Sequence, residues 1–156
     1  MISMIEITKI VEWDMGHRVP NHKSKCRNPH GHRYRLEMTV SGPLIDDSGN
    51  SSEGMVYDFG DIKQIMMKQV HDPLDHGFMY YTHDLVMKEA FMAAEREAEH
   101  DDNFNIIRVD FIPTAENIVK MCYDAMVNEF PEGINITKLR LYETPNSWAD
   151  YIPETL

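Results

Sequence analysis

Ile5-Glu6-Ile7-Thr8-Lys9-Ile10-Val11-Glu12-Trp13 alternates without a break, and His32-Arg33-Tyr34-Arg35-Leu36-Glu37-Met38-Thr39-Val40-Ser41 does the same. In the first run Ile5, Ile7, Lys9, Val11 and Trp13 share one face, opposite Glu6, Thr8, Ile10 and Glu12. In the second, Tyr34, Leu36, Met38 and Val40 oppose Arg33, Arg35, Glu37 and Thr39. Successive side chains of a strand point to opposite faces, so this period of two predicts two half-buried strands. The segment between them, Gly16 to Gly31, is long for a hairpin, and long structured loops in compact domains more often carry function than not.

Working outward, Gly42 to Gly54 clusters Pro, Asp, Ser, Asn and Gly and reads as a loop. Met55-Val56-Tyr57 is expected as a short strand. A helix capped by Asp58 or Gly60 then runs to about Val70, ended by His71-Asp72-Pro73, because proline does not continue a helix. A second helix is expected from Thr82 to His100 and a strand within Asn105–Phe111. Thr114 begins a third helix with Glu116 in its first turn and an apolar stripe of Ile118, Met121, Cys122, Ala125 and Met126. A fourth strand runs Ile136 to Glu143, and Trp148 to Ile152 makes a short last one. Paired strands separated by helices predict an α+β domain: a four-stranded antiparallel sheet with helices on one face. Its open edges call for covering, so assembly into a closed oligomeric barrel is expected.

At 156 residues the chain fits a single domain, 1–156, large enough to bury a sizeable core. No apolar run approaches the roughly 20 residues that span a bilayer, and residues 1–6 do not read as a signal peptide, so a cytoplasmic location is expected. The formal charge of −11 disfavours nucleic acid as a partner. Against that background, Met15 to Leu36 contains no acid yet holds Arg18, Lys23, Lys25, Arg27, Arg33 and Arg35. Such a basic island either steers a small anion or is a solvated loop.

The strongest chemical signal is His17 with His30-Gly31-His32. Residues i and i+2 of an extended chain point the same way, and adjacent antiparallel strands bring His17, just past the first strand, to the same end. Three imidazoles converging there suit a zinc ion with an open position, the arrangement of catalytic sites. Cys26 lies between Lys25 and Arg27, cations that favour its thiolate; it is a reactive base, a zinc ligand or a plain loop thiol. Cys122, on an apolar stripe, reads as a buried small hydrophobe. Asp75-His76 is either an acid–base dyad or a loop pair. Glu143 shares a strand face with Thr137, Leu139 and Leu141, where a carboxylate needs a partner unless it points to water.

Taken together, Val19-Pro20-Asn21-His22-Lys23-Ser24-Lys25-Cys26-Arg27-Asn28-Pro29-His30-Gly31-His32, Gly54-Met55-Val56-Tyr57-Asp58-Phe59, Leu74-Asp75-His76-Gly77, Pro113-Thr114-Ala115-Glu116-Asn117 and Tyr142-Glu143-Thr144-Pro145-Asn146 resemble, in order, the motifs of the 6-pyruvoyl-tetrahydropterin synthase family. The spacing of Cys26 to His30-Gly31-His32 is most similar to the bacterial 6-carboxy-tetrahydropterin synthase branch of queuosine biosynthesis. The resemblance implies the tunnelling fold, with chains assembled into barrels as a trimer or two stacked trimers and sites at subunit interfaces. It implies Zn²⁺ held by His17, His30 and His32, Cys26 as the base, and Asp75 and His76 as a relay drawn partly from a neighbouring chain. Glu143 would anchor the pterin ring, helped by Thr114 and Glu116, and the basic island, Lys25 and Arg27 included, would hold a triphosphate. The implied reaction is a lyase reaction taking 7,8-dihydroneopterin triphosphate to 6-carboxy-5,6,7,8-tetrahydropterin, acetaldehyde and triphosphate.

Two features depart from the family pattern. The stretch around 80–112 is longer than in compact members and reads as an insertion, and Ala115 stands where some relatives carry a second Thr. The alternatives are 6-pyruvoyl-tetrahydropterin synthase activity on the same scaffold, a catalytically silent zinc-binding protein, and a zinc hydrolase.

Overall fold

A computed structural model describes residues 3–98 and 104–154. The two alternating runs form the longest strands, β1 (Ile5–His17) and β2 (His30–Gly42), paired antiparallel over their whole length. Both reach further toward the joining loop than their alternation predicts, so His17 and His30 are strand residues facing each other across the pair rather than loop residues. The sheet continues with β5 (Asn135–Thr144) against β2 and β6 (Ser147–Tyr151) against β5, both antiparallel.

The sheet is therefore not the expected four-stranded antiparallel one: it has six strands and is mixed. β3 (Gly77–Tyr81) lies parallel to the end of β1, and β4 (Ile106–Val109) lies parallel to β3, giving the order β4-β3-β1-β2-β5-β6. β2 has already turned the chain back, so β3 runs with β1 without a direct crossover, and α1 (Phe59–Met66) lies in the connection from β2 to β3. Asp58 caps α1 by accepting from the N–H groups of Gly60 and Asp61. The helix does not stop before Pro73 as expected. It passes through a π-helical turn, Met67–His71, into α2 (Asp72–Leu74). The wider turn makes room for a ring that would collide with the carbonyl four residues back in a regular helix. Met55-Val56-Tyr57 is not a strand; Ile45 holds it through bonds to Met55 O and Gly54 N–H, and Val56 is buried there.

One core joins the sheet to α1 and α4 (Ala115–Met126). Val11, Trp13 and Met15 of β1, Tyr34, Leu36, Met38 and Val40 of β2, and Leu139 and Leu141 of β5 meet Ile62, Met66, Ile118, Cys122 and Met126 there. Helices do not all share that face. In α3 (Leu85–Ala98), Phe91 packs on Phe78 and Tyr80, which alternate with core-facing Met79, so α3 covers the reverse side of β3. The stretch that reads as an insertion thus contains α3 and a strand of the sheet. The expected helix end at His100 lies outside the described residues. Among the described residues, no helix is long and apolar enough to cross a membrane.

Candidate active site

β1 and β2 set the geometry of the histidines. His17 sits opposite His30, and Met15 sits opposite His32, so His32 lies diagonally across from His17 on the same face. His17 Nε2 is 3.2 Å from His30 Nε2, which is 3.1 Å from His32 Nε2. The other ring nitrogens fix the tautomers. His17 Nδ1 donates to Pro113 O at 2.7 Å and His30 Nδ1 donates to Asn28 O at 2.6 Å. A carbonyl only accepts, so both Nδ1 atoms carry hydrogen and both Nε2 lone pairs face the common centre.

Burial favours the neutral form of His17 and His32. Burial drives the His17 pKa down to about 4, and its two imidazole neighbours push the same way. Burial, then His30, lowers that of His32. Lone pairs of neutral imidazoles facing one another repel unless a cation lies between them. The donor set therefore fits a divalent ion that favours imidazole, zinc foremost.

Beside this centre is a cavity of about 280 Å³ lined by Cys26, Thr114, Glu116 and Glu143, together with His22 and Trp148. A 3-10 turn, Lys25–Arg27, carries Cys26, and Ser24 caps it by accepting from the Cys26 N–H. Thr114 caps α4 by accepting from Asn117 N–H. Its neighbour Pro113 is the residue whose carbonyl orients His17, so one turn serves both cavity and imidazoles. Glu143 reaches the centre, with Oε1 3.5 Å from His32 Nε2. Burial, with Glu116 nearby, raises the Glu143 pKa, while His30 works against the rise.

Lys25 and Arg27 flank Cys26 but are exposed and do not line its cavity; Arg27 donates to Lys23 O at 3.4 Å. The island is also less free than its composition suggests. Arg33 pairs with Asp14 at 3.0 Å, Arg35 with Glu37 at 2.9 Å, and Arg18 with Asp84 at 2.7 Å. Asp84 is buried and also accepts from Met87 N–H in the first turn of α3.

Asp75 and His76 stand apart from Cys26. They pair with each other at 2.9 Å and hang on β1 through Asp14, whose N–H donates to Asp75 and whose carbonyl accepts from His76 N–H. His76 takes a left-handed backbone, φ 60°, unusual for a residue with a Cβ. Partial burial acts to raise the Asp75 pKa, but the bonds from His76 and the Asp14 N–H outweigh it and hold the carboxyl below its ordinary value. His76 lines a different cavity, of about 410 Å³, with Asp14, His32 and Arg33.

Sequence reasoning missed Tyr34, Trp148 and His22 as site residues. Tyr34 reads as core, which it is, yet its ring lies edge-on against His17 and His32 at 6.0 and 5.6 Å. Its place two residues after His32, on the same face, is the signal that could have found it.

Relatives support a single family. The family model described as 6-pyruvoyl tetrahydropterin synthase matches residues 6–154. A 6-carboxy-5,6,7,8-tetrahydropterin synthase from Haemophilus influenzae is 34% identical over 95% of this chain and 99% of its own. One from Aquifex aeolicus is 30% identical, covering 96% and 98%. The human 6-pyruvoyl tetrahydrobiopterin synthase is 29% identical over 81% of this chain and 70% of its own. Among solved structures, an uncharacterized protein from Wolinella succinogenes aligns at a TM-score of 0.78 and 20% identity over 97% and 99% of the chains. The Caenorhabditis elegans 6-pyruvoyl tetrahydropterin synthase gives 0.66 and 19% over 98% of each, a likeness of fold. Matched over residues 6–154 by the family model and over most of its length by relatives at 30% identity or more, the chain belongs to the 6-pyruvoyl tetrahydropterin synthase family.

Proposed function

We propose that this protein is a zinc-dependent lyase that converts 7,8-dihydroneopterin triphosphate and one water to 6-carboxy-5,6,7,8-tetrahydropterin, acetaldehyde and triphosphate, as a cytoplasmic enzyme of queuosine biosynthesis. The observation that carries this reading is the convergence of three Nε2 atoms at 3.1–3.2 Å beside a cavity that holds both Cys26 and Glu143. The names of the full-length bacterial relatives support the branch.

His17, His30 and His32 would hold the metal, which when bound supplies a Lewis acid that polarises the substrate's side-chain oxygens. Cys26 removes a proton from the side chain. Glu143 accepts from adjacent N–H groups of the pterin ring and so orients it, with Thr114 and Glu116 on the same wall. Triphosphate would lie toward the exposed cations of the loop, Lys25 and Arg27 included.

Asp75 and His76 lie away from Cys26 within the chain, and the His76 side chain is 79% exposed. This supports assembly of several copies into a barrel, in which the pair reaches a neighbour's cavity and returns the proton there. The test is to incubate zinc-loaded protein with 7,8-dihydroneopterin triphosphate and identify products by mass spectrometry, with Cys26→Ala alongside. Carboxy-tetrahydropterin and acetaldehyde, reduced about 10²-fold or more in the variant, are expected. A pyruvoyl product would move the protein to the other branch of the family. No turnover by zinc-loaded protein would sink the lyase reading and favour a silent zinc-binding protein.

A further inference from the structure

Among the described residues, two buried side-chain polar atoms lack a hydrogen-bond partner, Trp13 Nε1 and Tyr34 Oη. Their rings stack across β1 and β2 with centroids 5.7 Å apart and planes 13° apart. Tyr34 in addition lies edge-on against His17 and His32. Buried hydroxyls are nearly always bonded, because a dry, unpaired one destabilises the fold. Phenylalanine would pack at position 34 without that cost. A tyrosine there makes physical sense if its hydroxyl finds a partner in another state of the site.

Glu143 is placed to be that partner. Its strand pairs with β2 beside it, Tyr142 facing Arg35. Arg35 and Tyr142 share one face of that pairing, so Tyr34 and Glu143, the next residue of each strand, both turn to the opposite face, where the histidines lie. The present contact of Glu143 is with His32 Nε2 at 3.5 Å, the same nitrogen that lies 3.1 Å from His30 Nε2 at the centre of the cluster. One imidazole nitrogen cannot offer its lone pair to a cation and donate a proton to a carboxylate at once. A metal at the cluster therefore deprives Glu143 of His32.

We infer that Tyr34 is a positioning residue whose hydroxyl donates to the Glu143 carboxylate once a divalent metal takes His32 Nε2, fixing Glu143 in its ring-accepting orientation. The inference rests on the reading of the histidines as a metal centre but not on turnover. It explains why the hydroxyl is kept at the expense of stability in the metal-free chain, a pattern common where function and stability compete.

The test is zinc affinity, by competition with a chelating dye, for the full-length wild type, Tyr34→Phe, Glu143→Gln and the double variant. Tyr34→Phe is expected to melt no lower than wild type without zinc, and to bind zinc about tenfold more weakly, the size of one charge-assisted bond. In the Glu143→Gln background the same change should leave zinc affinity within about twofold. Unchanged zinc affinity in Tyr34→Phe, or an equal loss with and without Glu143, overturns the inference. So does a lower metal-free melting temperature, which would mean that the hydroxyl is already bonded. If Tyr34→Phe does not fold, the tyrosine ultraviolet difference spectrum of the wild type decides. A shift on zinc addition that Glu143→Gln abolishes supports the inference; no shift overturns it. Stoichiometric zinc without any Tyr34 effect overturns this inference alone, whereas a wild type that fails to hold zinc overturns the metal centre with it.

Discussion

The histidine cluster and the Asp75–His76 pair lie at the same end of the sheet but are built in opposite ways. His17 is 1% exposed, its tautomer is fixed by a backbone carbonyl, and its neighbours come from the longest strand pair in the fold. His76 stands open to solvent on a left-handed turn, held by one residue of a strand edge. The cluster is complete within one chain. The pair is oriented by its chain toward a different cavity from the one that holds Cys26, and on the function proposed above it serves a neighbouring copy.

Mixing subunits tests that difference most severely. Cys26→Ala and His76→Ala are each expected to be inactive alone. Co-assembled in equal amounts, they should recover roughly a quarter of wild-type activity, because an interface drawing one residue from each copy is intact that often by chance. If the mixture stays dead although native mass spectrometry shows mixed oligomers, each site lies within one chain and the contrast collapses.

The next effect belongs to the cluster alone. The folded-state pKa of His17, about 4, lies below its ordinary 6.5, so the unfolded chain takes up the proton first. Metal-free stability should be insensitive to this group above pH 6.5, fall as the pH drops below it, and level off below about 4. The His17 loss is about 3 kcal/mol at the bottom of that window. Urea melts of the metal-free protein across this range, against His17→Gln, would reveal it; parallel profiles would show that His17 is less enclosed than the fold implies.

A third perturbation is aimed at the pair. A Cβ on Gly77 would meet Ile107 at 2.5 Å, Asn105 at 2.9 Å and the Leu74 carbonyl at 3.0 Å. Gly77→Ala should therefore cost about 2 kcal/mol and disturb the turn that presents His76. Its kcat should fall while zinc stoichiometry stays at the wild-type value; loss of zinc would mean that cluster and pair are mechanically one unit. The smallest effect is expected from Lys25→Ala with Arg27→Ala. Both side chains are exposed, so their combined contribution to substrate binding is about 1 kcal/mol, seen as a severalfold rise in KM that added salt conceals.

The sequence already displays what local rules control. Alternation places Trp13, Tyr34, Leu36 and Met38 inside, and the i, i+2 relation of His30 and His32 with the strand end at His17 foretells the cluster. Asp58 and Thr114 announce their helices as caps. What is hidden depends on partners distant in the chain. Gly77–Tyr81 is short and lacks alternation because Met79 meets one layer while Phe78 and Tyr80 meet another. The π-helical turn before Pro73 leaves no composition signal. Arg18, Arg33 and Arg35 look like free cations until the fold brings Asp84, Asp14 and Glu37 to them. The separation of Asp75–His76 from Cys26 is invisible in any local pattern.

The Arg18–Asp84 pair bears on how this protein can change over time. Both side chains are largely shielded, and removing either one strands the other as an uncompensated charge, a loss of about 3–5 kcal/mol. Single substitutions at either position are therefore steep downhill steps, and the two sites can be replaced readily only together. The residue after His17 and the residue just before α3 are thus locked as a unit of inheritance. A lineage that remodels the α3 segment while keeping its imidazoles has to find a new counterion for Arg18 in the same step.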